Sequence, residues 1–230
     1  MLDTAPRKIV LIGASRGLGR SLAVALAARG DHVIGTGRDL EELERTAAAC
    51  RELPGIFEAH ELEVRNTAAV DAFIGSAGEI DMCIVNAGIA NHMPFVETTA
   101  DDVRHMLEVN TVGAFSVMRA AAATMITAGH GRIVPIASVY SLEGAAQMAA
   151  YVASKHALLG FARTLAMEVE GTGVFVTTIC PGWIRTAIEG ESSLSGGMDP
   201  DDAAAAIVGA LGVGPSIGTC EFLFQAEVMI

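Results

Sequence analysis

Short apolar runs alternate with longer stretches of helical pattern along the whole chain. Each run is brief, rich in β-branched or aromatic residues and apolar without alternation, which is typical of strands covered on both faces. The runs that predict strands are 8–12, 32–36, a weaker one at 57–62, 81–85, 132–137, 174–179 and 221–224. The stretches that predict helices are 17–29, 39–52, 66–76, 100–127, 149–170 and 199–211. Repeated alternation of this kind predicts an α/β fold, a doubly wound sheet of about seven parallel strands with helices on both faces.

The chain is long enough for one domain with a sizeable core. Its 230 residues are 51% hydrophobic and 18% charged, which is typical of folded proteins rather than disordered ones. The sequence shows no internal repeat and no linker, so we expect residues 1–230 to form a single domain. One Gly/Ser-rich patch, 191–198, lies within a short excursion at about 184–198. This segment is either a flexible surface loop or a lid over a site.

The acidic charge balance argues against nucleic-acid and membrane partners. The formal net charge is −12, and the sequence has no basic run to displace the counterions of phosphates. The N-terminal stretch MLDTAPRK lacks the pattern of a signal peptide, and no uninterrupted apolar run reaches the ~18 residues of a membrane span. We therefore expect a soluble cytoplasmic protein.

The cysteines and histidines do not form a metal-binding pattern. There is no CxxC pair and no metal spacing between cysteines and the six histidines, so we expect no metal ion. Isolated cysteines in apolar surroundings favour buried free thiols in a reducing compartment over a disulfide or redox role. The cysteines are Cys50, Cys83, Cys180 and Cys220. The patterns around His105, His130 and His156 are typical of surface or satisfied core residues.

A glycine-rich turn, GASRGLG, directly follows the first predicted strand and contains Gly13, Gly17 and Gly19. Glycines let a backbone turn tightly and approach a ligand closely. The N-terminus of the following helix presents unpaired N–H groups to an anion at the carboxyl end of the sheet. A plain strand–helix turn is the simpler interpretation, but this position favours a dinucleotide site in a Rossmann-like fold.

A tyrosine and a lysine lie four residues apart in YVASK, residues 151–155. On a helix, Tyr151 and Lys155 share one face, either as a tuned acid/base pair or as two solvated side chains. The helix follows a strand that ends at Ser138, so all three residues belong at the ligand-bearing edge of the sheet. A nearby cation stabilises tyrosinate, so the pKa of the phenol, about 10 in peptides, is lowered towards neutral pH.

Taken together, these motifs resemble the short-chain dehydrogenase/reductase family in its single-domain branch. The resemblance covers nearly the whole chain and follows the order of the family. It depends on Gly13, Gly17, Gly19, NAG at 86–88, Asn110, Ser138, Tyr151, Lys155 and PG at 181–182. Three residues depart from the pattern: Ile12 in place of Thr, Val85 in place of Asn, and Glu63 in place of Asp.

The resemblance implies a role for each of four catalytic residues. Tyr151 gives its proton to a carbonyl oxygen as hydride arrives from the nicotinamide, and takes it back in the oxidising direction. Ser138 holds that oxygen by a hydrogen bond. Lys155 lowers the pKa of the tyrosine and binds the nicotinamide ribose. Asn110 anchors a water that links Lys155 to solvent, and asparagine is intrinsically poor within a helix, which favours a special role.

Basic residues at two positions favour NADP(H) over NAD(H). The second strand ends in TGRD, with Gly37 where an NAD-type acid is expected, followed by Arg38. Arg16 lies in the glycine-rich turn, and two guanidiniums suit a phosphate dianion by charge and geometry. Alternatively, Asp39 accepts hydrogen bonds from the ribose. Asp39 is better explained as an N-cap, since Glu42 follows three residues later.

Further contacts follow from the same resemblance. The expected cofactor-binding residues are Gly13, Ser15, Arg16, Gly17, Leu18, Gly19, Arg38, Glu63, Val64, Asn86, Ala87, Gly88, Tyr151, Lys155, Pro181, Gly182, Ile184 and Thr186. The expected substrate-side residues are His92, Val139, Tyr140, Met148 and Trp183.

The leading hypothesis is an NADP(H)-dependent oxidoreductase that interconverts a ketone or aldehyde and an alcohol. A cofactor-binding regulatory or scaffold protein on the same fold is one alternative, although it need not keep a Ser/Tyr/Lys set. An epimerase or dehydratase is another, although such relatives usually carry a larger substrate domain. We also expect a homo-oligomer, a dimer or tetramer, because the helices at 100–127 and 149–170 and the C-terminal strand are unusually apolar.

Overall fold

The computed structural model describes residues 5–186, 188, 197–212 and 220–224. Seven parallel strands form the sheet in the order β3-β2-β1-β4-β5-β6-β7. The strands are β1 Lys8–Ile12, β2 His32–Gly37, β3 Ile56–Glu61, β4 Met82–Val85, β5 Gly131–Pro135, β6 Val174–Pro181 and β7 Cys220–Phe224. The prediction of a doubly wound parallel sheet is confirmed.

Seven α-helices connect or flank the described strands. They are α1 Gly17–Ala28, α2 Leu40–Cys50, α3 Thr67–Ser76, α4 Ala100–Leu107, α5 Ala114–Ala128, α6 Ala149–Glu168 and α7 Pro200–Leu211. The predicted caps are confirmed at two helices. Asp39 accepts a hydrogen bond from the Glu42 N–H at 3.2 Å, and Asp199 caps α7 with Pro200 in its first turn.

Alternate residues of the central strands supply two cores, one on each face of the sheet. From β1, Val10 and Ile12 pack into the core shared with α3, α5 and α6. Ile9 and Leu11 pack into the core shared with α1, α2 and α7. Both faces are covered, which explains why the strands are apolar without alternation.

The strand order reverses between β1 and β4, which are neighbours in the sheet. The chain runs outward from β1 through β2 to β3, then returns to the other side of β1 at β4. The loops that follow β1 and β4 therefore separate at this point and leave a crevice at the carboxyl edge of the sheet. The glycine-rich turn lies there.

The predicted helix at 100–127 is confirmed in extent, since the chain is helical over Ala100–Ala128, but a π-helical turn at Glu108–Gly113 separates α4 from α5. Side chains of this turn bond neighbouring segments: Asn110 bonds the main chain of Ile89, and Thr111 Oγ1 donates to the carbonyl of Ser154 at 3.3 Å. A π turn fits one extra residue into a helix and frequently occurs at functional sites. Ala100–Ala128 is long and apolar enough to cross a membrane, but 56% of its apolar window is buried, and α5 packs against α3 and the sheet as a core helix does.

Several strand ends also differ from the predictions. The fifth strand ends at Pro135 rather than at residue 137, and Ile136 continues only as an isolated bridge to Ile179. The sixth strand extends to Pro181. Three cysteines are buried free thiols as predicted, namely Cys50, Cys83 and Cys180; the side chain of Cys220 lies outside the described part. Burial raises the pKa of the Cys83 thiol to about 12.

Candidate active site

A cavity of about 440 Å³ opens at the carboxyl edge of the sheet. Its walls come from the segments after β1 to β6, so it extends from the glycine-rich turn to the start of α6. All the residues expected to bind the cofactor line it, from Gly13 to Thr186. The structure thus brings into one cavity residues that are far apart in the sequence.

Close backbone contacts explain the glycines of the turn. Gly13 has a φ of +86°, and a Cβ there would lie 2.7 Å from the Ala87 backbone. A Cβ at Gly19 would lie 1.8 Å from the Gly13 carbonyl oxygen. That same oxygen accepts a 2.7 Å hydrogen bond from the Asn86 side chain, which ties the turn to the segment after β4.

The N-terminus of α1 fits an anionic ligand. Arg16 occupies the N-cap position with an extended backbone, and its side chain makes no capping hydrogen bond. The first residues of α1, Gly17 to Gly19, line the cavity, so their N–H groups are available to a ligand there. On the same wall, the buried Thr36 hydroxyl has no partner among the described residues. Uncapped donors and an unpaired hydroxyl fit the pyrophosphate and sugar of a dinucleotide.

Two arginines line the end of the cavity near β2 and β3. The side chains of Arg16 and Arg38 are 61% and 58% exposed. Their nearest carboxylates are at the limit of ion pairing, with Arg16 3.7 Å from Asp39 and Arg38 3.8 Å from Glu63. Exposed pairs at such distances are weak, so both guanidiniums can turn to an anionic ligand.

Other groups already engage the two carboxylates. Asp39 caps α2 through its Oδ1 atom. Glu63 accepts hydrogen bonds from Arg65, at 2.8 Å from the guanidinium and 3.1 Å from the main-chain N–H. These bonds, with a smaller contribution from Arg38, hold the pKa of Glu63 below its usual value.

The predicted reacting groups meet at the other end of the cavity. Ser138, Tyr151 and Lys155 all line it. The Lys155 ammonium is buried, donates a 2.8 Å hydrogen bond to the Ile136 carbonyl, and lies 5.6 Å from the centre of the Tyr151 ring. Burial lowers the pKa of Lys155 to about 8, so the group is still mostly charged at neutral pH. The Ser138 Oγ accepts a 3.1 Å bond from the Tyr140 N–H, and its lone hydrogen is a donor for a ligand.

Asn110 lies behind this group rather than on the cavity wall. Its Oδ1 accepts from the Ile89 N–H, and its Nδ2 donates to the Ile89 carbonyl, both at 2.8 Å. Nδ2 also lies 3.1 Å from Ser154 Oγ, which in turn donates to the Tyr151 carbonyl at 2.7 Å. Both polar atoms of the amide therefore have protein partners, and the side chain ties the segment after β4 to the first turn of α6.

Of the residues expected on the substrate side, three line the cavity: Tyr140, Met148 and Trp183. Val139 is buried and does not line it, although Tyr140, its neighbour in the same 3-10 turn, does. His92 is exposed and contacts the outer side of the wall, with its ring centre 6.1 Å from that of Trp183. Of the predicted lid at 184–198, residues 187 and 189–196 lie outside the described part.

Several lining residues are absent from the sequence predictions. Most of them are apolar residues that follow strand ends or face the cavity from the π turn. They are Thr36, Leu62, Ile89, Val109, Ile136, Ala137 and Ile188. Ile12 and Gly37 also line the cavity, as does Asp39, the alternative ribose acceptor. What most of these residues share is their position at the carboxyl edge of the sheet. The predicted ends of the strands therefore indicate them as candidates for the cavity wall.

Comparison with known proteins agrees with this geometry. A family model described as short chain dehydrogenase matches residues 7–195. The chain is 35% identical over 185 residues to the 3-oxoacyl-acyl-carrier-protein reductase FabG of Escherichia coli K12, covering 78% of this chain and 74% of the relative. It is 32% identical over 181 residues to the 2-dehydro-3-deoxy-D-gluconate 5-dehydrogenase of Bacillus subtilis 168, covering 77% and 71%. A solved metagenomic short-chain oxidoreductase in complex with NADP has a TM-score of 0.84 at 27% identity, covering 98% of this chain and 100% of that chain.

Proposed function

We propose that this chain, which belongs to the short-chain dehydrogenase family, is an NADP(H)-dependent reductase of ketones or aldehydes that also oxidises secondary alcohols. The observation that carries the proposal is the buried Lys155 ammonium on the same face of α6 as Tyr151, in a cavity shared with Ser138 and the glycine-rich turn. A carbonyl substrate is supported by the Escherichia coli relative, whose name specifies a 3-oxoacyl group.

Residues along the cavity would hold the dinucleotide. The N–H groups at the start of α1 suit its pyrophosphate, and the backbone at 86–88 lines the same cavity. Pro181, the last residue of β6, and Gly182 line the cavity where the nicotinamide is expected. When bound, the dinucleotide supplies or accepts the hydride.

The chain itself supplies a proton and a fixed electrostatic environment. Tyr151 gives its phenolic proton to the carbonyl oxygen of the substrate in reduction and recovers it in oxidation. Ser138 donates a hydrogen bond to the same oxygen, where negative charge develops. Lys155 stabilises the tyrosinate that remains. Its buried position, fixed by the Ile136 carbonyl, keeps the ammonium in place without reorganisation.

NADP(H) is proposed rather than NAD(H) because of the charges near β2. Arg16 and Arg38 are exposed in the cavity and only weakly paired, so they can bind the 2′-phosphate. The alternative acceptor for a ribose hydroxyl, Asp39, caps α2. The metagenomic relative in complex with NADP supports the same choice.

A panel of carbonyl compounds, monitored by NADPH absorbance beside NADH, tests this function. Net consumption of NADPH with a ketone or aldehyde is the expected result. Binding of NADPH without turnover would favour a regulatory protein instead. Isomerisation or dehydration without net change in cofactor would favour an epimerase or dehydratase.

We further infer that the protein works as a soluble, cytoplasmic homo-oligomer assembled on α5 and α6. Apolar side chains that no other described element covers lie on these helices: Phe115 and Phe161, in ring contact at 4.9 Å, together with Ile126 and Met167. A second copy of the same surface is the partner that this arrangement suits best.

A further inference from the structure

The charged side chains of the cavity are segregated. Among the described lining residues, four charged ones follow the strands of one half of the sheet, β3-β2-β1. They are Arg16, Arg38, Asp39 and Glu63. On the side of β5 and β6, the lysine at position 155 is the charged lining group, and it is bonded to a main-chain carbonyl. The end near β2 suits the phosphorylated ribose, and the end near β6 is left for the substrate.

The substrate end has apolar and aromatic walls. Tyr140 and Met148 come from the segment between β5 and α6, and Trp183, Ile184 and Ile188 come from the segment after β6. None of these described lining residues carries a charge. A carboxylate placed against them would lose its hydration without gaining a partner, which is costly.

Main-chain bonds hold Trp183 in place. Its carbonyl accepts from the Met198 N–H at 2.8 Å, and the Met198 carbonyl accepts from the Arg185 N–H at 3.0 Å. These bonds join the segment after β6 to the segment before α7. The Trp183 backbone is therefore held by the segment before α7.

Close contacts hold the indole itself. Gly197 has a φ of +88°, and a Cβ there would lie 2.1 Å from Trp183 Cδ1. The His92 ring contacts the indole at a centroid distance of 6.1 Å. Any side chain at position 197 must therefore displace the indole or the backbone.

Building on the function proposed above, we propose that this cavity selects uncharged carbonyl substrates whose apolar group packs against Trp183, and that Gly197 is a positioning residue for the indole. The reacting carbonyl is held by Ser138 and Tyr151, and the apolar group extends towards Trp183 and Met148. Acidic ketones are excluded because the described walls around the apolar group offer no counter-ion, and the one cation at this end, Lys155, is already engaged by the Ile136 carbonyl.

A matched pair of substrates tests the charge selection. The compounds are 4-oxo-4-phenylbutanoate and its methyl ester, which carry the same ketone and differ in one charge. We expect kcat/KM for the ester to exceed that for the acid by about 100-fold, the size of effect that an unpaired buried charge produces. Equal values, or a preference for the acid, would overturn the proposal while leaving the reductase activity established.

Binding can be measured separately from turnover, because Trp183 is the single tryptophan of the chain. Its fluorescence should change on titration with the ester, with or without oxidised NADP, and not with the acid at the same concentrations. This result supports the proposal even if no ketone is reduced, in which case only the function proposed above fails. An unchanged signal with the ester would remove Trp183 from the substrate wall.

The positioning role of Gly197 is tested by Gly197→Ala, with Gly30→Ala as the control. Gly30 has a similar φ of +93° but no atom within 4 Å of an added Cβ, so its substitution carries the backbone strain alone. We expect Gly197→Ala to lower kcat/KM for the phenyl ketone ester at least 10-fold more than for butanone, with NADPH affinity unchanged. The control should change both ketones equally.

A double variant shows whether the indole transmits this effect. In a Trp183→Ala background, Gly197→Ala should change kcat/KM for the two ketones equally, because the indole that it displaces is absent. If the discrimination persists in that background, or if the single variant affects both ketones equally, Gly197 does not act through Trp183. Thermal unfolding of each variant measures any general loss of stability.

Discussion

The Lys155 ammonium lies 5.6 Å from the centre of the Tyr151 ring and is anchored by a 2.8 Å hydrogen bond to the Ile136 carbonyl. The cation is thus held beside the phenol by the fold, before any ligand arrives. Burial disfavours the charged form of this group and lowers the pKa of Lys155 from 10.5 to about 8. A buried charge retained beside a reactive phenol is typical of a functional site.

Tyr151→Phe should abolish turnover while leaving the affinity for NADPH largely unchanged. The variant keeps the ring and removes only the hydroxyl that transfers the proton, a contribution of about 100-fold or more. Steady-state kinetics and a fluorescence titration with NADPH measure the two quantities.

Tyr140→Phe is the matched control for this experiment, since Tyr140 is the other tyrosine of the chain and lines the same cavity. We expect it to retain most of the activity. Substantial turnover by Tyr151→Phe would exclude the phenol as the proton donor.

Lys155→Met should stabilise the cofactor-free protein at pH 7, and less so at high pH. The unfolded chain keeps the Lys155 proton up to pH 10.5, whereas the fold releases it at about 8. Between about pH 8 and pH 10.5 the unfolded state binds more protons than the folded state. The free energy of unfolding therefore rises with pH, and the destabilisation caused by the buried ammonium disappears. The lowered pKa of Lys155 corresponds to a destabilisation on the order of a few kcal/mol below about pH 8.

Thermal unfolding of the wild type and the variant at pH 7 and pH 10 measures this prediction. The gain in Tm should be largest at pH 7 and should shrink towards pH 10. Lys8→Met is the comparison, because Lys8 bonds the Ala77 carbonyl at 2.6 Å near the surface, and its removal should destabilise the protein. If the difference in Tm between Lys155→Met and the wild type does not depend on pH, burial does not lower the pKa of Lys155 in the folded protein.

Arg38→Ala should weaken NADPH binding by about 10- to 100-fold and change NADH binding little. The guanidinium is exposed in the cavity and 3.8 Å from its nearest carboxylate, so a phosphate dianion gains a charge-assisted hydrogen bond there. Dissociation constants for the two cofactors, measured at one fixed ionic strength, give the comparison.

Arg45→Ala is the control for total charge. Arg45 lies on α2, pairs with Glu41 and Glu42, and does not line the cavity. Its removal should leave the ratio of the two constants unchanged. If Arg38→Ala weakens both cofactors equally, the 2′-phosphate does not bind there.

The sequence predicts this fold well because both faces of the sheet are covered. Each central strand is then a continuous apolar run, whereas the edge strand β3, with the sequence IFEAHE and alternating exposure, gives a weaker signal. The reacting groups are equally accessible to sequence reasoning, since the spacing of Tyr151 and Lys155 fixes them on one helical face. In these respects local pattern and global structure agree.

Contacts between distant segments are what the sequence does not reveal. The π turn around Asn110 lies between two stretches of helical pattern, so periodicity alone predicts one continuous helix. Within the 3-10 turn Val139–Ser141, Tyr140 lines the cavity and Val139 does not, and the sequence does not distinguish the two. The contact of Gly197 with Trp183 depends on a bridge between two loops, and neither residue type predicts it.

Phe161→Glu should convert the proposed oligomer into a smaller species. The side chain is 37% exposed, and its ring contacts Phe115, so a carboxylate there would be buried against an apolar partner in the assembled protein. Val96→Glu is the matched control, because Val96 is 93% exposed and lies on the segment between β4 and α4. Sedimentation velocity should show dissociation for the first variant and none for the second. A wild type that sediments as a monomer would contradict the assignment of this surface, because α5 and α6 would then present their phenylalanines to water without a partner.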